Sequence, residues 1–163
     1  MEKTKIYLDI CSYNRPFDDQ SQIKIHLETE AILYVQDGIR KKKYLMIWSY
    51  MLDYENSRNP YKAKRNAIAL WKNIACDYCQ SSIDVLSTGT NIMKNYSIKA
   101  KDSLHIACAI KNNCDYFITT DNKLIKKSSG HIAKIGGDEK STSIKIINPI
   151  DFVREREMEG LDE

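Results

Sequence analysis

No apolar stretch in this 163-residue chain approaches the roughly 20 residues a membrane-spanning helix requires, so no transmembrane segment is expected. The first residues, Met1-Glu2-Lys3-Thr4-Lys5, lack the apolar region of a secretory leader and run straight into a strand-like segment. A cytoplasmic location follows by default. The five cysteines are an odd set without a secretion signal, which points to reduced thiols rather than a disulfide framework. Cys76 and Cys79 form a CxxC, but neither a second pair nor a closely spaced His pair accompanies it, and a zinc site needs one of these. There is no internal repeat and no composition break that would mark a second domain. A single domain over 1–153 is expected, with a charged, frayed tail over 154–163.

Nor is there a strong charge of one sign. The net charge is +3, so bulk charge alone does not announce a nucleic-acid binder. The distribution carries more information. Arg40-Lys41-Lys42-Lys43 is a basic run, Lys62, Lys64 and Arg65 share one segment, and Lys123, Lys126 and Lys127 follow closely on Asp121. Each run alone reads as solvated surface. Basic residues around an acidic pocket suit a polyanion gripped by its backbone.

Residues 4–10 read as a first strand with Asp9 at its C-terminal end, followed by a turn-rich loop over 11–19 containing Pro16. Ser21 reads as the cap of a helix with Ile23, Leu27, Ala31, Ile32 and Val35 on one face, which Gly38 stops. Residues 44–48 read as a second strand, and Ser49 as the cap of a short helix through Glu55. Asn59-Pro60 breaks that helix. Residues 61–78 read as helix, 83–86 as a short strand or extended link, and 88–96 as another helix. A helix over about 101–113 is apolar around much of its circumference and so is expected to be central. A strand at 116–119, a short helix at 121–128, a glycine-containing mobile loop over 128–143, a strand at 143–147 and a short terminal helix complete the chain. Strands separated by helices mean an α/β fold, with a mainly parallel central sheet flanked by helices on both faces.

Four acids then stand out: Asp9 and Asp121 after strands, Glu55 late in a short helix, and Asp102 in the first turn of the central helix. Parallel sheets bind ligands at the carboxyl ends of their strands. Carboxylates gathered there repel one another unless a cation joins them, and oxygen-only ligands favour Mg²⁺ or Mn²⁺ over zinc. Such an ion activates water and neutralises a phosphodiester. Every acid has a plainer reading. Asp121 can be an N-cap, Asp102 can complement a helix dipole, Asp9 can close a turn, and Glu55 can pair with Arg58. These readings explain two strands ending in Asp poorly when taken together. An aspartyl-nucleophile phosphatase is disfavoured, because the run after the first strand is Asp9-Ile10-Cys11 rather than Asp-x-Asp.

Four segments, in this order and spacing, resemble the PIN-domain nucleases, specifically the VapC-like toxin ribonucleases: Tyr7-Leu8-Asp9 with 14–19, residues 49–60, Lys101 through Ala107, and Asp115 through Asp121. The likeness spans about Lys5 to Phe152. It implies a metal-dependent endoribonuclease held in check by an antitoxin protein, with RNA as substrate. It also implies that Asp9, Glu55, Asp102 and Asp121 bind Mg²⁺ or Mn²⁺, and that Thr119 or Thr120 orients a ligand or water. Arg15 either contacts a phosphate or pairs with Asp18 or Asp19. Asp53 competes with Glu55, whose spacing to Asn59-Pro60 fits the family better. Asn122 stands where many similar sequences carry a further acid. His105, one turn after Asp102, either packs near the helix start or approaches the pocket. The apolar helices over 21–37 and 61–79 read as core packing, with a homodimer face or an antitoxin groove as alternatives. The rival reading is a catalytically silent PIN-like module that binds RNA or protein.

Overall fold

The computed structural model describes residues 3–134 and 143–161. Six strands form one sheet: β1 (Thr4–Leu8), β2 (Tyr44–Ser49), β3 (Asp77–Cys79), β4 (Tyr116–Ile118), β5 (His131–Ala133) and β6 (Ser143–Ile147). Their order is β3-β2-β1-β4-β6-β5, and every pair is parallel except β5 with β6. Between them run α1 (Ile10–Asn14), α2 (Ile23–Arg40), α3 (Tyr50–Ser57), α4 (Lys62–Ala69), α5 (Ile83–Tyr96), α6 (Ala100–Lys111), α7 (Asn122–Ser128) and α8 (Pro149–Leu161). The expected α/β architecture is the observed one.

β1 is the middle of the sheet, and Ile6, Tyr7 and Leu8 are all fully buried, as a strand covered on both faces requires. On one face Tyr7 stacks on Phe117 and meets His105 of α6. On the other, Phe152 of α8 packs edge-on against Tyr44 and Tyr116, and Tyr13 of α1 packs against Trp48. That second face also holds a buried ion pair. Glu28 of α2 is fully buried; its Oε1 lies 3.2 Å from Arg15 Nε, and its Oε2 accepts from Asn148 Nδ2 at 2.5 Å. This contact ties α2 to the turn over 15–17 and to the residue before α8.

Several elements differ from the sequence reading. Strand β1 ends at Leu8, and the loop expected over 11–19 begins with helix α1, because the Asp9 carboxyl caps it by accepting from Ile10 N at 2.8 Å. Gly38 does not end α2. It lies inside the helix against the Tyr44 ring, where a Cβ would come within 2.7 Å of a ring carbon. The chain turns only at Lys42, with φ of 61°. Ile23 and Leu27, assigned to the buried stripe of α2, are exposed. The helix expected over 61–78 gives way after Ala69 to a 3-10 turn and then to β3. Residues 83–86 are not a strand but the first turn of α5, capped by Ser82 Oγ accepting from Val85 N at 3.1 Å. Residues 131–133, placed in a loop, form β5, while 135–142 of that loop lie outside the described residues. The segment from Arg154, expected to be a loose tail, is helical through Leu161, and Glu155 accepts from the Tyr116 hydroxyl.

Candidate metal and nucleic-acid site

The chain runs outward from β1 through β2 to β3, then crosses back to place β4 on the other side of β1. The carboxyl ends of β1 and β4 therefore flank a topological switch point, where parallel sheets open a crevice. Leu8 pairs with Ile118, so the residues after the two strands emerge side by side. Thr119 Oγ1 donates to Asp9 Oδ2 at 2.9 Å and accepts from Asp121 N at 3.1 Å. One buried hydroxyl thus fixes both strand-end acids. Thr119, expected to orient a ligand or water, spends its single donor on Asp9. Cys11 Sγ lies 3.3 Å from the same hydroxyl and accepts from Thr120 N.

Asp121 is also a helix cap: its Oδ1 accepts from Lys123 N and Leu124 N. Asp121 and Asp102 line one small cavity of about 60 Å³, together with Lys99, Lys123 and Lys127. Asp102 accepts no hydrogen bond and forms no ion pair among the described residues. Burial, then the charges of Asp9 and Asp121, and more weakly that of Glu55, raise its pKa to about 6, against a smaller opposing effect of His105. The four acids thus share one electrostatic neighbourhood, and Asp102 bears its strain.

Glu55 projects from α3, which the Ser49 hydroxyl caps by accepting from Leu52 N. It does not pair with Arg58. Its Oε1 lies 2.5 Å from His105 Nε2. Burial penalises the Glu55 carboxylate, but the His105 hydrogen bond and charge, helped by Lys101, leave its pKa below the usual value. His105 Nδ1 is 2.6 Å from the Tyr7 hydroxyl, which is 2.6 Å from Ser49 Oγ. A buried line of hydrogen bonds thus runs from Glu55 through His105 and Tyr7 to Ser49, linking α3, α6, β1 and the end of β2. His105 thus holds Glu55 through one ring nitrogen, with Tyr7 and Ser49 behind it.

Asp53 is fully engaged elsewhere. It accepts from Trp48 Nε1 at 2.8 Å, the Tyr78 hydroxyl at 2.6 Å and Lys72 Nζ at 3.2 Å. These contacts overcome the burial penalty and depress its pKa. Arg15 pairs with Asp18 at 2.9 Å as well as with Glu28, so its charge is already met. Asn122 is the exposed first residue of α7.

Among the described residues, no three His, Cys, Asp or Glu side chains close on a point as a ready-made metal cage. The donor chemistry still fits a hard divalent cation: four carboxyl groups, oxygen only, one of them uncompensated. Among the described residues the CxxC gathers no third ligand, and all five cysteines are free thiols.

A sequence profile of the PIN domain matches residues 27–129, well over half of the chain. The chain belongs to the PIN-domain family. Among solved structures, it is similar to VapBC2 from Rickettsia felis bound to a DNA fragment from its promoter. The TM-score is 0.53 and the identity 13%, over 89% of this chain and 98% of that one, a likeness of fold. No curated protein matches. No helix among the described residues is long and apolar enough to cross a membrane.

Proposed function

We propose that this PIN-domain chain is a metal-dependent endoribonuclease that hydrolyses RNA phosphodiesters, acting as the toxin of a toxin–antitoxin pair. The observation that carries this reading is Asp102: a part-buried carboxyl with no donor or cation bonded to it, raised to about 6 by burial and by Asp9, Asp121 and Glu55. A fold gains nothing from such a group unless a cation completes it. Asp9, Glu55, Asp102 and Asp121 would hold Mg²⁺ or Mn²⁺. When bound, such an ion acidifies water and offsets charge on the phosphodiester. Thr119 keeps Asp9 and Asp121 in register, and His105 orients Glu55. Lys99, Lys123 and Lys127 rim the Asp102–Asp121 cavity and suit the phosphates of a polyanion. The toxin role rests on the family and on a similar fold solved as VapBC2 with DNA, which suggests a protein partner for this chain.

The absence of a ready-made cage among the described residues favours a second reading, a PIN-like module that binds without cutting. Calorimetry with Mg²⁺ or Mn²⁺ separates the two, wild type beside Asp102→Asn. Binding that disappears in the folded variant, with RNA cleavage lost in parallel, is the expected result. A folded wild type that takes up no metal, with or without RNA, gives the lead to the binding module.

A further inference from the structure

Cys76 and Cys79 lie apart from the acid set, and the two halves of this CxxC do not face each other. Cys79 is the last residue of β3, and Cys76 precedes that strand. Three residues of largely extended chain span roughly 10 Å, beyond the roughly 4.4–6.8 Å between the Cα atoms of a disulfide. Strand register gives Cys79 a different partner. It lies beside Ser49 of β2, so the two side chains share one face of the sheet. That face is the one under α6, because the Ser49 hydroxyl meets the Tyr7 hydroxyl, which meets His105. Cys108 lies one turn beyond His105 on the same side of α6 and is fully buried. Its thiol hydrogen-bonds to the Cys79 sulfur, and the Ser49 hydroxyl hydrogen-bonds to Cys108 in turn. The thiol pair therefore stands at the far end of the buried line that runs from Glu55 through His105 and Tyr7 to Ser49.

The two thiols are unequal. The Cys108 thiol, donating to Cys79, and the Asn112 amide lower the Cys79 pKa to about 7 against the penalty of burial. The same hydrogen bond, and then burial, push Cys108 up. Burial also holds Cys11, Cys76 and Cys114 above the ordinary value, Cys11 at about 12. Cys79 is thus the one thiol of the five that is substantially ionised at neutral pH, and the thiolate is the form that an oxidant meets. Access to it is narrow, since Cys79 is 5% exposed. However, β3 is three residues long and is the outermost strand, hydrogen-bonded on one side only. Such an edge opens more readily than the central strands. A small neutral oxidant fits that opening, whereas a bulky disulfide such as oxidised glutathione does not.

We propose that Cys79 and Cys108 are a modification site, a thiol pair that hydrogen peroxide oxidises to a disulfide, and that this bond loosens the support of Glu55. The Cys79 thiolate attacks one peroxide oxygen, the O–O bond breaks, and the departing hydroxide takes up a proton to become water. The Cys108 sulfur then attacks the sulfur of the Cys79 sulfenic acid. The S–O bond breaks, the S–S bond forms, and the hydroxyl leaves with the Cys108 proton as a second water. Two thiols lose two electrons in all, and the peroxide gains them. In the disulfide Cys108 has no proton to give, and its sulfur is drawn to about 2.05 Å from that of Cys79. Its contact with Ser49 changes accordingly, and Ser49 is the group behind Tyr7, His105 and Glu55. The effect on RNA cleavage rests on the ribonuclease reading; the disulfide itself does not.

The test treats the full chain with hydrogen peroxide, blocks the remaining thiols, and maps unreduced tryptic peptides by mass. Residues 73–94 carry Cys76 and Cys79, and residues 102–111 carry Cys108 alone. The expected product is these two peptides joined with the loss of two hydrogens. It should persist in Cys76→Ser and vanish in Cys79→Ser and in Cys108→Ala; wild type and Cys76→Ser decide the pairing if the Cys108 variant does not fold. Oxidised wild type should bind Mn²⁺ and cleave RNA at least about tenfold less well than reduced wild type, and dithiothreitol should restore both. Cys79→Ser should match reduced wild type and keep its rate in peroxide, which separates the pair from oxidation of Cys11 or of methionine. A bond between Cys76 and Cys79, or no cross-link at all, overturns the thiol pair even while Mn²⁺-dependent cleavage proceeds. A Cys79–Cys108 bond that leaves Mn²⁺ affinity and cleavage as they were overturns the link to Glu55. The same bond with weakened Mn²⁺ affinity, in a chain that cuts no RNA even when reduced, upholds the site and removes the ribonuclease.

Discussion

Glu28 and Asp102 are both acids on helices packed against the sheet, and their surroundings differ in kind. Glu28 is fully buried; its Oε1 is met by the charge of the Arg15 guanidinium at 3.2 Å, an ion pair without a hydrogen bond, and its Oε2 accepts from the Asn148 amide. Asp102 is less buried and has neither. The charges that act on it most are those of Asp9 and Asp121, with His105 opposing them and Glu55 adding to them. The same chain thus shows both ways of placing an acid away from water. One is compensated locally and joins three elements; the other is left in deficit. Burying a carboxyl with its own cation serves the fold, whereas leaving the deficit open serves a ligand that brings positive charge.

Substitution should split the two regions by sign. The largest effect expected is on chemistry: Asp102→Asn should cut metal-dependent RNA cleavage by more than about a hundredfold, read in single-turnover assays. The same variant, without metal, should melt higher than wild type, because it removes a repelling charge. Glu28→Ala should do the reverse. Stranding Arg15 and Asn148 should cost about 3 kcal/mol of stability in urea titrations, with the metal affinity of the surviving folded protein unchanged. If Asp102→Asn destabilises the metal-free protein as Glu28→Ala does, the contrast between the regions fails.

His105 sharpens the comparison, because it gives Glu55 the partner that Asp102 lacks. Its ring is fully buried between Glu55 and Tyr7. His105→Ala should weaken metal affinity by about 10–100-fold, the usual cost of removing a group that orients a ligand. His105→Gln, which can still donate to Glu55, should recover part of it. A melting temperature that drops while metal affinity holds would make His105 a packing residue only.

The sequence made the acids visible because each stands at a boundary that local pattern marks: an apolar run ending in Asp9, another ending before Asp121, and the first turn of the helix that carries Asp102. It did not reveal what holds them. Thr119 is 110 residues from Asp9 in sequence, His105 is 50 from Glu55 and 98 from Tyr7, and only strand register and helix packing bring these pairs together. The misread elements have the same cause. In 83–86, Ile83 and Leu86 look like strand residues but lie on the open side of α5, exposed, with only Val85 turned inward. Gly38 reads as a helix stop until the Tyr44 ring pressed against it explains the missing side chain. The turn over 15–17 hides in a proline-marked loop because the ion pair that orders it comes from α2.

The smallest effect expected is a pH dependence that belongs to Asp102 alone. Its carboxyl has the ordinary value of 3.8 in the unfolded chain and is raised to about 6 in the folded protein, first by burial and then by Asp9 and Asp121. Between those values the folded state holds more protons than the unfolded one, so stability falls as pH rises through that window. Glu55 has the opposite sign. Its folded pKa lies below 4.5, so its contribution is present above that value and is lost as the medium turns more acidic. The range from about pH 4.5 to 6.5 therefore isolates Asp102 from Glu55. Metal-free wild type should lose melting temperature across this range relative to Asp102→Asn, the gap closing toward pH 4. Added Mg²⁺ should restore more stability at pH 7 than at pH 5, since the cation binds the ionised carboxylate and a proton competes for it. Parallel melting curves for the two proteins across the range would show that Asp102 is not held in deficit, and the distinction from Glu28 would then be one of burial only.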